Sequence, residues 1–353
     1  MKVLAKGLSG LALVLAGVFA LGVQAAPAVL ERPALHSAKA QRSVMLDLAR
    51  AGQRLVAVGE RGIILLSDDD GASWRQVDVP VSVNLTAVQF VDAQQGWTVG
   101  HLGVVLHSSD GGETWHKQFD GIQAAQSILQ AAQASGDADA IAQAEAMVAD
   151  GPDKPFLDLY FLNERVGYLV GAYNLILRTE DGGQSWHSWM QHLDNPQGLN
   201  LYAIRAWRGD LYIAGERGLL LRSRDDGEHF AALPSPYEGS FFGLLAAREG
   251  LLAFGLRGNA WWSTDGGETW QALETGVESA LAAALELADG RLLLAGQGGE
   301  LLVAQPGSAR VQSLPLRLAP GLASVVQAAD GSLASGGLSG ITARQIPEQS
   351  AQR

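Results

Sequence analysis

Two sets of residues recur at spacings that could do chemistry: carboxylates in one pattern and arginines in another. Ser67-Asp68-Asp69-Asp70-Gly71-Ala72-Ser73-Trp74 is the first of five copies of a Ser/Thr-x-Asp-x-Gly-x-Ser/Thr-Trp run. The others are built on Ser108, Asp110, Gly112 and Trp115; on Asp181, Gly183 and Trp186; on Asp225; and on Asp265, Gly267 and Trp270. The Asp225 copy is degenerate, with His229 and Phe230 in the last two places. Carboxylates spaced this way could hold a cation or act as acids. A simpler chemistry fits better. An Asp side chain accepts hydrogen bonds from backbone N–H groups of its own turn. Glycine supplies the positive φ such a turn needs, and the aromatic opens the next strand and packs between sheets. On that reading Ser67, Asp69, Gly71 and Trp74, and their equivalents, are structural, and Asp68 and Asp70 face solvent. No metal or cofactor is expected and no residue is assigned a catalytic role. The seven histidines are scattered, without His-x-His or His-Glu-x-x-His. There is no cysteine. Gly296-Gln297-Gly298-Gly299 enters a strand, not the helix a phosphate loop requires.

The arginines occupy the third place of a Gly-x-x-Gly turn: Arg61 in Gly59–Gly62, Arg217 in Gly215–Gly218 and Arg257 in Gly255–Gly258. Equivalent turns carry Leu102, Tyr173, Gly298 and Ser339. Guanidinium groups suit bidentate pairing with carboxylates and stacking on aromatics. Either they form a binding patch, or each pairs with Glu60, Glu216 or a local carbonyl and steadies its own turn. Tyr173 and Tyr237 join Arg61, Arg217 and Arg257 as partner-binding candidates, because exposed Tyr and Arg anchor interfaces.

The elements that place these residues repeat. Anchored on Gly59, Gly100, Gly171, Gly215, Gly255, Gly296 and Gly337, the repeats are 40–44 residues apart except for one step of 71. A period near 40 signals a propeller or solenoid. The second repeat reads as four strands, near 85–90, 96–100, 104–108 and 115–119. Seven such units predict an all-β, seven-bladed β-propeller over residues 44–346, with a leader at 26–43 and a tail at 347–353. The excess of 43 glycines fits many tight turns. The seventh repeat shows three strands, and the leader segment 28–37, with Val29, Leu30 and Leu35, is expected to supply the fourth and close the ring. The long step is an insertion at 121–155. It carries helical runs at Ile122–Ala134 and Asp139–Val148, broken at Ser135-Gly136-Asp137 and ended by Asp150-Gly151-Pro152. Up-and-down blades place the Gly-x-x-Gly turns and this insertion on one face, the Asp turns on the other.

Composition narrows the partners. The net charge is −12 with no Lys/Arg-rich run, which argues against nucleic acid. Lys2 and Lys6, the apolar stretch Leu8–Val23 and Val23-Gln24-Ala25 form a secretory signal peptide, residues 1–25, with cleavage expected after Ala25. The mature chain is expected to be a periplasmic or lumenal monomer that does not span the membrane.

The Ser-x-Asp-x-Gly-x-Thr-Trp turns resemble the BNR, or Asp-box, repeats shared by sialidases and other propellers. The longer run Val-Gly-x-x-Gly-x-Ile/Leu-Leu-x-Ser-x-Asp-Gly-Gly-x-Thr-Trp is similar to the photosystem II stability/assembly factor-like family, over roughly residues 44–300. The resemblance implies an exported propeller that assists assembly of a membrane protein complex, with an arginine patch for partner binding and no enzymatic activity. The alternatives are a sialidase-like glycosidase or carbohydrate-binding propeller, and an accessory subunit of an envelope transport system. A sialidase needs a Phe-Arg-Ile-Pro signature, which is absent; Glu31-Arg32-Pro33 is a faint echo ahead of the first blade.

Overall fold

The computed structural model describes residues 27–347. The expected signal peptide, residues 1–25, and most of the tail lie outside the described residues. Seven antiparallel sheets follow one another along the chain, six of four strands and the last of three. Each begins at the centre of the ring. The inner strands are Met45–Ala51, Leu85–Phe90, Phe156–Phe161, Leu201–Trp207, Phe241–Ala246, Leu281–Glu286 and Leu322–Gln327. The second strands, such as Gly96–Gly100 and Leu292–Gly296, are buried along their whole length. They lie in mid-sheet with a neighbouring blade on each side, so they read as continuous apolar runs and not as alternating ones. The expected strand set of the second repeat is observed, at Leu85–Phe90, Gly96–Gly100, Val105–Ser108 and His116–Phe119.

The cores lie between blades. Val56, Leu66 and Val58 of blade one meet Leu85, Leu106 and Trp115 of blade two. Trp97 of blade two stacks on Phe161 of blade three, centroids 3.8 Å apart. No blade buries both faces by itself, so stacking is what makes the fold.

The leader does not supply the missing strand. It forms 3-10 turns at Ala28–Leu30 and Ala40–Arg42, and the seventh blade remains three-stranded. Pro33 removes one ladder donor, and the backbone of the leader is spent elsewhere. Ala34 N–H donates to Val79 O at 3.0 Å, and Ser82 N–H to Val29 O at 2.9 Å. The leader thus lies along the connection from blade one to blade two, with Leu30 1% exposed in their shared core.

The ring closes instead by direct contact of blades seven and one. Met45, Leu48 and Leu65 pack with Ala328 and Ala334. Ala329 N–H donates to Asp70 Oδ1 at 2.9 Å. Asp70 is therefore not merely solvated, and Asp68 pairs with Arg54 at 2.6 Å.

The insertion forms α1 (Gly121–Ser135) and α2 (Ala138–Asp150). Asp120 caps α1 in a capping box with Gln123, and Gly136 ends it in the left-handed conformation. The hairpin is docked: Ala124, Ile128 and Ala132 lie in one core with Phe119 and Trp186. Ser127 Oγ donates to Trp186 O at 3.0 Å and accepts from Ser188 N–H at 3.2 Å. It fastens α1 to the short outer strand of blade three. Among the described residues no helix is long and apolar enough to cross a membrane.

Candidate functional site

The Asp turns come first because they set the frame. Asp110 accepts from Ser108 Oγ (2.8 Å), Thr114 N–H (2.9 Å) and Thr114 Oγ1 (2.6 Å). Asp69, Asp181 and Asp265 repeat the pattern. Asp225 keeps the bonds to Ser223 Oγ and His229 N–H but has no hydroxyl at the third place. The hydroxyl and N–H of Ser73 lower the Asp69 pKa. At Asp110, Asp181 and Asp265 burial works the other way, and the same kinds of hydrogen bond outweigh it. Trp74, Trp115 and Trp270 each return an indole N–H to the turn glycine, at Gly71, Gly112 and Gly267. These carboxylates are filled by their own turns, and no His/Cys/Asp/Glu cluster among the described residues could hold a metal ion.

On the opposite face the Gly-x-x-Gly turns hold Arg61, Leu102, Tyr173, Arg217 and Arg257 in the left-handed region, with φ from 53° to 58°. Such a φ is costly for a side-chain-bearing residue. The next blade compensates. Asn84 Oδ1 accepts Arg61 N–H at 3.0 Å, Asn200 Oδ1 accepts Tyr173 N–H at 2.7 Å, and Ser240 Oγ accepts Arg217 N–H at 3.3 Å. After Tyr173 the next place is held by Asn174, at φ 63°; in the arginine turns it is a glycine. A Cβ on Gly62, Gly218 or Gly258 would come within 2.0–2.2 Å of a carbonyl oxygen.

The glutamates of these turns do not neutralise the arginines. Glu60 Oε1 accepts from Val44 N–H at 3.1 Å, and Glu216 Oε2 from Asn200 N–H at 3.3 Å, so each ties its turn to the entry of its blade. The Arg61 side chain is 82% exposed, with Glu60 4.0 Å away. Arg217 and Arg257 are exposed and have no side-chain partner among the described residues. Tyr173 is 62% exposed, with Lys154 Nζ 5.2 Å above its ring. Tyr237 is half-buried; its hydroxyl donates to Leu256 O and its ring packs on Phe241, so it supports the Arg257 turn. Gly121 at the start of α1 lies against the blade-two turn at Leu102 and Gly103, which puts the hairpin on this face.

A feature the sequence reading missed lies in the central channel, a cavity of about 310 Å³. One register position recurs on every inner strand: Asp47, Ala87, Asp158, Ala203, Gly243, Ala283 and Ser324. Where it is polar, it accepts the N–H of the next blade's inner strand. Asp47 Oδ2 takes Val88 N–H (2.9 Å), Asp158 Oδ2 takes Ile204 N–H (2.9 Å), and Ser324 Oγ takes Leu48 N–H (3.3 Å). Ser324 Oγ also donates to Asp47 Oδ1 at 2.8 Å. Burial raises the Asp47 pKa to about 6. Burial also raises that of Asp158, against the pull of Arg205, whose Nη1 lies 2.5 Å away. The signal was an aspartate inside an otherwise apolar strand, visible only once the blades are aligned.

Seven stacked sheets, five of them with an Asp turn between the third and fourth strands, make a β-propeller with BNR-type repeats. The profile of the family described as photosynthesis system II assembly factor YCF48 matches residues 66–154 and 143–237, and the BNR/Asp-box repeat matches residues 261–272. The chain is similar to photosystem II assembly factors of the BNR-propeller type. Over 77 residues it is 34% identical to the photosystem II assembly lipoprotein Ycf48 of Synechococcus sp. (strain CC9902), a stretch that spans 22% of this chain and 23% of that relative. Among solved structures, YCF48 bound to D1 peptide superposes with a TM-score of 0.63 at 16% identity, over 90% of this chain and 100% of that one. YCF48 from Cyanidioschyzon merolae gives 0.63 at 15% identity, over 87% and 97%. At these identities the likeness is one of fold.

Proposed function

We propose that this chain is an exported, non-catalytic propeller that docks a membrane protein and serves as an assembly or stability factor for its complex. The observation that carries the reading is the set of three guanidinium groups, Arg61, Arg217 and Arg257, at equivalent turn positions on one face. None is consumed by a carboxylate within hydrogen-bond reach. On a chain of net charge −12, such a patch favours a partner with exposed carboxylates. The hairpin and Tyr173 flank it. The likeness to proteins described as a photosystem II assembly lipoprotein and as YCF48 bound to D1 peptide supports a membrane-protein partner and an exported location.

The test is in-cell crosslinking with mass spectrometry, comparing wild type with Arg61→Glu, Arg217→Glu, Arg257→Glu. All three side chains are exposed, so the variant is expected to fold with an unchanged circular-dichroism spectrum. Capture of a membrane protein by the wild type, with at least a tenfold loss in the variant, is expected for the loss of several charged contacts. Equal capture by both would reassign the arginines to turn stability.

A further inference from the structure

Where the leader crosses blade one it leaves an open groove of about 730 Å³, within the range that takes a bound ligand. Ile63 lies in its lining and is 5% exposed. The leader contributes Arg32 and Leu35, and the blade-one turn contributes Arg61. Leu35 is 81% exposed, the most exposed large apolar side chain among the described residues.

We infer that this groove receives an extended segment of a partner polypeptide bearing one Asp or Glu beside an apolar side chain. The inference rests on the docking face proposed above and locates one contact on it. Charge complementarity selects the occupant. Among the described residues the one carboxylate paired with the Arg61 guanidinium is Glu60, at 4.0 Å, and Glu60 already serves Val44. Arg32 makes one long contact, Nε to Ser82 Oγ at 3.4 Å. Both guanidiniums therefore retain free N–H donors in the fork geometry that grips a carboxylate. His36 does not compete for that carboxylate, because it is held by Asp78 at 2.8 Å. The apolar half of the segment meets Leu35 and Ile63. A bare phosphate or sulfate headgroup fits less well. The turn's own amide is taken by Asn84, so no nest of free N–H groups is present, and the apolar wall would go unused.

The probe is a fluorescein-labelled peptide, Gly-Ser-Gly-Leu-Asp-Leu-Gly-Ser-Gly, with its Asn counterpart as control. Binding to the full chain is read by fluorescence anisotropy. Saturable binding is expected, weaker by about tenfold for the Asn peptide, the loss of one charge-assisted pair. Arg32→Gln, Arg61→Gln and Leu35→Ser should each weaken it several-fold, while Arg310→Gln, exposed on blade six, leaves it unchanged. These side chains are exposed, so none threatens folding. Absence of saturable binding, equal affinity for the two peptides, or indifference to Arg32→Gln and Leu35→Ser overturns the groove assignment. Crosslinking separates that failure from failure of the wider reading. If partner capture survives Arg32→Gln/Leu35→Ser and is lost in the triple arginine variant, the face stands and the groove falls. If capture survives both, both fall.

Discussion

At the residue scale, one motif explains five of the aspartates and also sets how stability responds to pH. Replacing Asp110 by Ala removes three accepted hydrogen bonds and leaves the Ser108 hydroxyl proton and the Thr114 N–H without an acceptor. A loss of about 2–3 kcal/mol in urea unfolding is expected. Asp225→Ala should cost clearly less, because that turn has already lost its hydroxyl partner. The Asp-box carboxylates have lowered pKa values in the fold. The stability they give is present above the ordinary carboxylate pKa and disappears as pH falls through the lower folded values. Asp47 has the opposite sign. Its folded pKa is about 6 against an ordinary 3.8, so the folded state binds the extra proton, and stability falls as pH rises from about 4 to about 6. The full effect is on the order of 2–3 kcal/mol. Unfolding measured from pH 3 to pH 8 should show a maximum near pH 4–5, and Asp47→Asn should reduce the downward slope above it, the remainder belonging to Asp158.

At the element scale, the hairpin of α1 and α2 is part of the core. Ile128→Ala is expected to cost about 2–4 kcal/mol and to loosen the outer strand of blade three, read as faster amide exchange at His187 and Ser188. Leu30→Ala in the leader should cost a similar amount, although Leu30 belongs to no strand. Strand positions were legible because short apolar runs and turn signals recur from repeat to repeat, and the two helices because good helix formers fill the insertion between Gly, Asp and Pro breakers. The Gly-x-x-Gly glycines were legible for a local reason too: a Cβ there has nowhere to go. The leader was not legible, because short apolar side chains flanking a proline suit a strand or a strap equally well. What decided it was the free backbone of residues 77–84, which only the folded ring presents. The ties made by Asp70, Asp158 and Ser324 were hidden for the same reason: each acts on a different blade.

At the scale of the whole molecule, the seam between blades seven and one is held by packing, by Ala329 on Asp70 and by Ser324 on Asp47. In many rings a strand shared between the chain ends provides this lock, and here no such strand exists among the described residues. Ser324→Ala should lower global stability by about 1–2 kcal/mol, and hydrogen exchange should show blade seven opening first. The arginine face and the groove do not depend on the seam. Their geometry is set by blades one, four and five, so Ser324→Ala should leave partner capture intact at low temperature.

The seam also imposes an order on events. Asp47 and Ser324 are 277 residues apart, so the first blade waits for the last. While the chain emerges from its N-terminus, blade one can stack on blade two but presents a bare flank bearing Met45, Leu48 and Leu65. Bringing such distant segments together is slow, because loop closure must be completed before the contact rewards it. Until the final fifty or so residues arrive, this flank is an adhesive surface, and a chaperone or a neighbouring chain can reach it. The vulnerable moment in the life of this protein is therefore its own completion.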